Sequence, residues 1–325
     1  MMLFALSETR PLGEQIASHL GASLAPIEER SFEDGEHKAR PLVSVRGADV
    51  YVLQALDGDR GLTPNDKLVR LLFLASTLKE NGARRVTAII PYLAYARKDR
   101  QTKSRDPVNS RYMAQLIEAA GIDCVVGFEV HNIVAFQNAF RIQTIHLDSR
   151  PVFIDRAAAL AEGAPVVVAS PDPGGVKRAQ LFRETLERRL GRPVGHAFLD
   201  KRRSAGKVSG DMLAGEVAGA RVFVIDDLVA TAGTLARAAA RCREEGAVSV
   251  HAFAAHGLFV GEAGRTLEGS QIERLVISDS IPPHRLQQRV LQDRIEIVSA
   301  APLLAGAIRT LSDGGSISRL RGEED

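Results

Sequence analysis

The feature that most constrains the fold of this chain is a regular alternation between apolar runs rich in β-branched residues and amphipathic segments of helical period. In the first half the apolar runs cover residues 48–56, 84–93 and 123–130, and the helical segments between them end in Asn-Gly or Ala-Gly. Such alternation is typical of βαβ units on a parallel sheet, and glycine commonly ends a helix. The same rhythm then restarts, which predicts two similar α/β halves. We expect domains at 1–147 and 148–325, with the last helix either staying in the second domain or packing back on the first.

Composition narrows the classes of function that are open to the chain. Its 325 residues are 45% hydrophobic, enough for two domain cores, and a formal net charge of +2 gives no broad basic field for nucleic acid. Cys124 and Cys242 are too few for a disulfide framework and suit a reducing compartment. The N-terminus has no signal-peptide pattern, and no later run approaches the ~20 apolar residues that span a bilayer. We therefore expect a cytoplasmic protein without nucleic-acid or membrane partners.

The most informative segment joins an apolar strand at residues 222–225 to a helix, through two carboxylates and a turn of small residues. Asp226 and Asp227 can accept hydrogen bonds from sugar hydroxyls, while the turn and the helix start present N–H groups to an anion. The turn consists of Ala230, Thr231, Ala232, Gly233 and Thr234. A ribose phosphate carries both features. The alternative is an ordinary helix N-cap that follows a strand.

Two segments of the first half suit a nucleotide. Phe32, Asp34 and Glu36 offer one aromatic face and two acceptors, which an adenine ring and its amine require. The alternative there is a turn held by a buried Phe. Arg97 and Lys98 follow a predicted strand, and a guanidinium suits bidentate contact with phosphate. The alternative for these two is a solvated charged loop.

Two further residues follow predicted strands, one in each half. His131 and Asp172 could bring an imidazole and a carboxylate to one cleft, although a lone histidine is more often structural. A glycine pair after Asp172 opens a helix that carries Lys177 and Arg178. This start is either a second phosphate-binding nest or a simple strand-to-helix turn.

Residues 200–219 contain two strong positive positions and few apolar side chains that could anchor the segment. Lys201 and Arg203 are followed by Gly, Ser and Ala, so we expect this segment to become ordered only when a ligand binds. The alternative is an exposed hairpin with surface charges.

The acidic pair and its turn resemble the loop with which phosphoribosyltransferases and synthetases bind 5-phosphoribosyl 1-diphosphate (PRPP). Further segments resemble only the synthetase branch, ribose-phosphate diphosphokinase, and occur in the order found in that family. They are residues 31–36, 64–68, 91–100, 170–179, 200–203 and 298–320. Ordered matches over most of the chain are far more specific than any single motif. The resemblance implies two phosphoribosyltransferase-like domains, each with a central, mainly parallel sheet flanked by helices.

The resemblance also implies an activity and the residues that carry it. The chain is expected to transfer the diphosphate of ATP to C1 of ribose 5-phosphate in an Mg²⁺-dependent reaction that gives PRPP and AMP. The implied ATP contacts are Phe32, Asp34, Glu36, Arg97, Lys98 and His131. The implied ribose 5-phosphate contacts are Asp226, Asp227, Ala230, Thr231, Ala232, Gly233 and Thr234. Lys201 and Arg203 would be catalytic, and His131 and Asp172 would meet Mg²⁺. Members of the family form dimers that assemble into hexamers, so a homo-oligomer is expected.

Three positions depart from the usual pattern of that family. Ala230 replaces an Asp of the ribose loop, Lys98 replaces a Gln, and Glu129 replaces an Asp before His131. Because Ala230 removes an acceptor near the ribose, one alternative is a catalytically weak subunit that regulates a true synthetase. A phosphoribosyltransferase, which would share only the ribose loop, is the other alternative. The presence of His131, Asp172 and the Asp-Lys-Arg-Arg segment favours an active enzyme.

Overall fold

The computed structural model describes residues 1–59, 61–204 and 207–321, and for residues 201–204, 207–211, 291, 319 and 321 only the backbone. The chain divides into two compact units. The first consists of Met1–Asp148 with Ala300–Asp325, and the second of Ser149–Ser299. The final helix of the chain therefore belongs to the first unit.

The first unit is built on a parallel sheet. Its strands are β1 (Met2–Ala5), β2 (Ile27–Ser31), β3 (His37–Pro41), β4 (Asp49–Leu53), β5 (Arg85–Ile90), β6 (Cys124–Phe128) and β7 (Gln143–Leu147). Its first four helices are α1 (Arg10–Leu20), α2 (Pro64–Glu80), α3 (Asn109–Ala119) and α4 (Ile133–Ala139). Five strands form one sheet in the order β1-β4-β5-β6-β7, and every neighbouring pair is parallel. Strands β2 and β3 form a separate antiparallel hairpin.

The apolar runs become strands because helices cover the sheet and a buried parallel strand needs apolar side chains on both faces. In β4 and β5 every residue after the first is buried. Helix α2 begins with a capping box in which Thr63 and Asp66 exchange hydrogen bonds between side chain and backbone. In the loop that precedes α2, Leu56 N–H donates to Tyr92 O over 2.9 Å, which joins this loop to the segment after β5.

The second unit repeats this plan with a larger sheet. Its strands are β8 (Val166–Ser170), β9 (Gly195–Ser204), β10 (Lys207–Ala214), β11 (Arg221–Val229), β12 (Ser249–Gly257), β13 (Arg274–Ser278) and β14 (Ile295–Val298). Its helices are α5 (Arg150–Leu160), α6 (Val176–Leu190), α7 (Gly233–Glu244), α8 (Ala263–Glu268) and α9 (Gln288–Arg294), and α10 (Ala301–Ser312) then returns to the first unit. The strand order is β10-β9-β8-β11-β12-β13-β14, and only the β9–β10 pair is antiparallel.

Both faces of the second sheet are covered. Val222 and Val224 of β11 pack into a core that includes residues of α7, whereas Phe223 packs into the opposite core with Phe153 of α5 and Phe182 of α6. Alternate residues of one strand thus fill two cores. The prediction of an α/β fold with two mainly parallel sheets flanked by helices is confirmed.

Helix α10 packs against α1 within the first unit. The Arg309 guanidinium donates a hydrogen bond of 2.6 Å to the carbonyl oxygen of His19, close to the carboxyl end of α1. A cation near a helix C-terminus also interacts favourably with the helix dipole. None of the helices in the described ranges combines the length and the apolar character needed to cross a bilayer.

Candidate active site

The topology of the second unit predicts a ligand site at the carboxyl ends of the neighbouring strands β8 and β11. The chain leaves β8 towards β9 on one side of the sheet and later returns to β11 on the other side, so the strand order reverses between these two neighbours. In open α/β sheets, ligands bind beyond the carboxyl ends of strands at such a reversal. Asp172 follows β8, and Asp226 lies near the carboxyl end of β11.

The acidic pair lies within β11, two residues before the strand ends at Val229. The side chain of Asp226 is 19% exposed and that of Asp227 only 8%. Burial, together with the neighbouring carboxylate of Asp227, raises the pKa of Asp226 well above its ordinary value. A ligand that donates hydrogen bonds to this pair, or brings positive charge to it, would stabilise the ionised form that burial disfavours.

A cation from the neighbouring helix faces this pair. One terminal nitrogen of Arg178, near the start of α6, lies 3.6 Å from a carboxylate oxygen of Asp227 and 4.0 Å from one of Asp226. Arg178 lowers the pKa of Asp226 and so opposes part of the effect of burial. The sequence alone places Arg178 either in a phosphate-binding nest or in a simple strand-to-helix turn. Its contact with the acidic pair was missed because the two segments are distant in the chain.

We expect the Arg178→Ala variant to lower the free energy of unfolding by about 1–3 kcal/mol at pH 7, because it leaves two partly buried carboxylates without their cation. Urea denaturation of the full chain would measure this difference. The matched control is Arg188→Ala, which removes an exposed arginine from the same helix. Equal losses in the two variants would contradict a stabilising role for Arg178.

The turn after β11 adopts a conformation suited to an anion. Ala232 has a left-handed backbone (φ 62°) and stands at the N-cap of α7. It has no side-chain acceptor, so it cannot cap the first N–H groups of that helix, which are donors for an anion. A backbone hydrogen bond also stabilises the turn, since Val260 N–H donates to the carbonyl oxygen of Ala230 over 2.8 Å. Thr231 is exposed and Thr234 is half-buried, so both hydroxyls lie close to the surface of the turn.

The segment after β8 forms a tight strand-to-helix turn. One carboxylate oxygen of Asp172 accepts the N–H of Gly175 over 3.1 Å, and the Ser170 hydroxyl donates to the backbone oxygen of Asp172 over 2.6 Å. A Cβ atom at position 175 would lie 2.7 Å from the Ser170 hydroxyl, so this turn requires glycine. Lys177 is exposed at the start of α6. The geometry agrees with either a turn or a phosphate-binding nest, and the role of Lys177 stays a prediction.

In the first unit, the residues predicted to bind adenine form the tip of the β2–β3 hairpin. Phe32 N–H donates to Glu36 O over 2.8 Å, and Glu36 N–H donates to a carboxylate oxygen of Asp34 over 3.1 Å. The ring of Phe32 is 39% exposed, with the guanidinium of Arg30 4.8 Å above its centre. The alternative of a turn held by a buried Phe is therefore wrong, and one aromatic face is available on this hairpin.

The segment after β5 carries the predicted phosphate contacts. Arg97 is exposed. The Lys98 ammonium lies 2.6 Å from a carboxylate oxygen of Asp106 and 3.2 Å from the hydroxyl of Thr102, so it orders the loop in which it lies. This ion pair lowers the pKa of Asp106. The predicted contact of Lys98 with ATP stays a prediction, since the side chain has a structural partner in this loop.

His131 is exposed and lies between β6 and α4. Two residues earlier, Glu129 has a positive φ of 41°, an unusual conformation for a non-glycine residue. Asn132, directly after His131, caps α4 and also donates a hydrogen bond of 2.6 Å to Asp99 in the segment that carries Arg97. Neither Asp99 nor Asn132 was singled out from the sequence. The Asn at a helix start was a usable signal for the cap, but not for the second bond.

Within the part of the chain that the structure describes, no three His, Cys, Asp or Glu side chains come together as a metal cage. Mg²⁺ commonly binds through one or two carboxylates plus substrate phosphates and keeps several waters. The half-buried Asp172 carboxylate, at the reversal point of the sheet, suits a metal ion that arrives with a nucleotide. His131, in the first unit, is exposed, and its contact with Mg²⁺ stays a prediction.

Lys201 and Arg203 lie on β9, and their side chains fall outside the described part of the structure. In the backbone register, Lys201 pairs with Asp211 and Arg203 with Val208 of β10. The two strands form a hairpin, which was the alternative considered for this segment. The catalytic roles of both residues stay predictions.

Comparison with known proteins covers both units. Residues 1–121 match the family described as the N-terminal domain of ribose phosphate pyrophosphokinase, and residues 203–321 match the phosphoribosyl synthetase-associated domain. The ribose-phosphate pyrophosphokinase of Caldanaerobacter subterraneus is 38% identical over 321 residues, which is 98% of this chain and 97% of that protein. The enzyme of the same name from Hyphomonas neptunium is 38% identical over 323 residues, which is 98% of this chain and 99% of that protein.

A solved structure agrees with these matches. The crystal structure of phosphoribosylpyrophosphate synthetase from Mycobacterium smegmatis superposes with a TM-score of 0.86 at 30% sequence identity, covering 97% of this chain and 99% of that one. Likeness at this level extends over both sheets and the connections between their strands. The chain therefore belongs to the ribose-phosphate pyrophosphokinase (PRPP synthetase) family.

Proposed function

We propose that the second unit binds ribose 5-phosphate at the β8–β11 reversal point and that the first unit supplies contacts to ATP, whose diphosphate is transferred to C1 of the ribose. The observation that carries this proposal is the acidic pair of β11, which a short turn connects to a helix start without a side-chain cap. Carboxylates that accept from hydroxyls, next to N–H groups that donate to an anion, match the two ends of a ribose phosphate.

In this mechanism the C1 hydroxyl oxygen of ribose 5-phosphate attacks the β-phosphorus of ATP. A new oxygen–phosphorus bond forms, the bond from the β-phosphorus to the α,β-bridging oxygen breaks, AMP leaves, and the hydroxyl proton is released. Asp226 and Asp227 orient the ribose hydroxyls. The turn at residues 230–234 holds the 5-phosphate. Such a transfer is catalysed mainly by positioning and electrostatics.

Positive charge near the transferred group has three proposed sources. Mg²⁺, bound near Asp172 and His131, would neutralise charge on the phosphate oxygens of ATP. Lys201 and Arg203 would stabilise the charge that spreads over the transferring diphosphate. Arg97 would hold the nucleotide phosphates, and the exposed ring of Phe32 would contact the adenine.

We expect the purified chain to form AMP and PRPP in equal amounts from ATP and ribose 5-phosphate when Mg²⁺ is present, without any nucleobase. Chromatography of the nucleotides and of PRPP would measure both products. A main activity that requires a nucleobase would instead indicate a phosphoribosyltransferase.

The substitution at Ala230 favours a second candidate function, that of a weakly active partner subunit. The position contributes a backbone carbonyl, which accepts from Val260, but no side-chain acceptor for the ribose. A partner subunit would form no AMP alone and would raise or lower the activity of a true synthetase when mixed with it. The same product assay, run with and without an active relative, separates the two candidates.

We also propose that the chain forms homo-oligomers. The outer faces of two helices in the first unit carry large exposed apolar side chains, namely Phe73 on α2 with Tyr112 and Leu116 on α3. Exposed apolar groups of this size favour burial in a protein interface. Sedimentation velocity would give the number of copies.

A further inference from the structure

One hydrogen bond joins two of the segments of the first unit to which nucleotide contacts are assigned. Arg97 lies in the segment after β5, and His131 lies in the segment after the neighbouring parallel strand β6. Between these segments the side-chain nitrogen of Asn132 donates to a carboxylate oxygen of Asp99 over 2.6 Å. Asn132 is the next residue after His131, and Asp99 is two residues after Arg97.

Both ends of the Asn132 amide are used. Its oxygen accepts the N–H of Ala135 over 3.1 Å and so caps α4, while its nitrogen is directed to Asp99. The helix cap thereby fixes the orientation of the amide. The side chain can donate to Asp99 only while the turn that contains His131 keeps its place against the first residues of α4.

The Asp99 side chain is fixed by a second residue, Arg100. Its carboxylate is 5% exposed and accepts two hydrogen bonds from Arg100, of 2.8 Å and 2.9 Å. The bond from Arg100 first, and then the bond from Asn132, lower the pKa of Asp99. The carboxylate is therefore charged at neutral pH, and the bond from Asn132 is a charge-assisted one, which is stronger than a bond between neutral groups.

The backbone on both sides of this contact is strained. Tyr95 has a φ of 61° and Glu129 a φ of 41°. Such conformations of non-glycine residues persist only when surrounding contacts hold them, and they cluster at functional sites. The Tyr95 hydroxyl also contacts the side chain of Asn65 at the start of α2, so the segment with Arg97 is held at one end by α2 and at the other by Asn132.

We propose that Asn132 and Asp99 are positioning residues for ATP, and that their hydrogen bond sets the separation between the Arg97 guanidinium and the His131 imidazole. This inference rests on the proposed function, which assigns those two groups to the nucleotide. The bond does not itself touch the substrate. It keeps two segments that are far apart in the sequence in the one arrangement that can hold the phosphates of ATP together.

The first test is Asn132→Ser. Serine is a good N-cap residue, so α4 keeps its cap, but its side chain is too short to donate to Asp99. Loss of a hydrogen bond to a charged group corresponds to a rise of about tenfold or more in the KM for ATP, and the KM for ribose 5-phosphate should not change. The matched control is Asn138→Ser, which replaces an exposed asparagine on the same helix.

The second test is an exchange of the two side chains. Asn132→Asp keeps a helix cap but places a carboxylate against Asp99, so ATP should bind more weakly than in Asn132→Ser. Adding Asp99→Asn restores one donor and one acceptor with their roles reversed, and most of the affinity for ATP should return. A general loss of stability would not be rescued in this way.

Calorimetric titration of each full-length variant with ATP and Mg²⁺ measures the same effect without turnover. A tenfold weaker Kd for ATP in Asn132→Ser, with rescue in the exchanged variant, would support the inference. Equal Kd and KM values for Asn132→Ser and Asn138→Ser would overturn it while leaving the proposed reaction intact. A wild-type chain that binds ATP but forms no PRPP would refute the proposed function, and the titrations would still decide the role of Asn132.

Discussion

The variant Lys201→Ala, Arg203→Ala is expected to form AMP and PRPP at least about a thousandfold more slowly than the wild-type chain, with little change in stability. Loss of one well-placed donor to a charged transition state commonly costs about a hundredfold to a thousandfold in kcat, and this variant removes two cations. Both positions lie on β9, which is next to the edge strand β10 of the sheet. Initial rates with saturating ATP and ribose 5-phosphate, together with a thermal melt, would measure the two quantities.

The control for this variant is a substitution at Arg202, the residue between the two. Arg202→Ala removes the same charge from the same strand, and we expect it to keep most of the wild-type turnover. A loss shared by all three positions would indicate a general effect of positive charge on substrate attraction, which added salt would weaken in the wild type as well. Wild-type turnover in the double variant would remove Lys201 and Arg203 from the mechanism.

The alternation of apolar and amphipathic segments was enough to predict the parallel sheets, because strand and helix periods are local properties of the sequence. It did not predict the β2–β3 hairpin as an element separate from the five-stranded sheet. The strand Ile27–Ser31 is only partly buried or exposed along its whole length, so its residues do not form the apolar run that marked the other strands. The return of α10 to the first unit was likewise left open, since its apolar face alone does not say which surface it covers.

The sequence was informative about the site where one short segment carries several functional groups, as in the acidic pair and its turn. It was uninformative where a function depends on a contact between distant segments. Arg178 contacts Asp226 and Asp227 because β8 and β11 are neighbours in their sheet. Asn132 contacts Asp99 because β5 and β6 are likewise neighbours in theirs. Strand order is a non-local property, so no spacing within a single motif contains it.

The variant Asp226→Asn is expected to be more stable than the wild-type chain at neutral pH and about a hundredfold less active. Burial and Asp227 raise the pKa of Asp226 above its unfolded value, so the folded state binds the proton more tightly than the unfolded state does. Stability in the wild type therefore falls as the pH rises from the unfolded pKa, about 3.9, through the folded pKa. Asparagine has no charge to bury, so the variant loses this penalty. Its amide cannot replace a carboxylate as the acceptor for two ribose hydroxyls, and loss of such charged hydrogen bonds accounts for the fall in kcat/KM.

Urea denaturation at several pH values distinguishes this effect from a general change in surface charge. The stability difference between Asp226→Asn and the wild type should grow across the window that starts near pH 4 and level off above the folded pKa. Asp155→Asn is the matched control, because that side chain is 79% exposed in the same unit and should show no such growth. A carboxylate whose replacement stabilises the fold and slows the reaction serves the chemistry and not the stability of the chain. If Asp226→Asn were less stable than the wild type, or equally active, the acidic pair would be a structural feature of β11 and the ribose site would have to lie elsewhere.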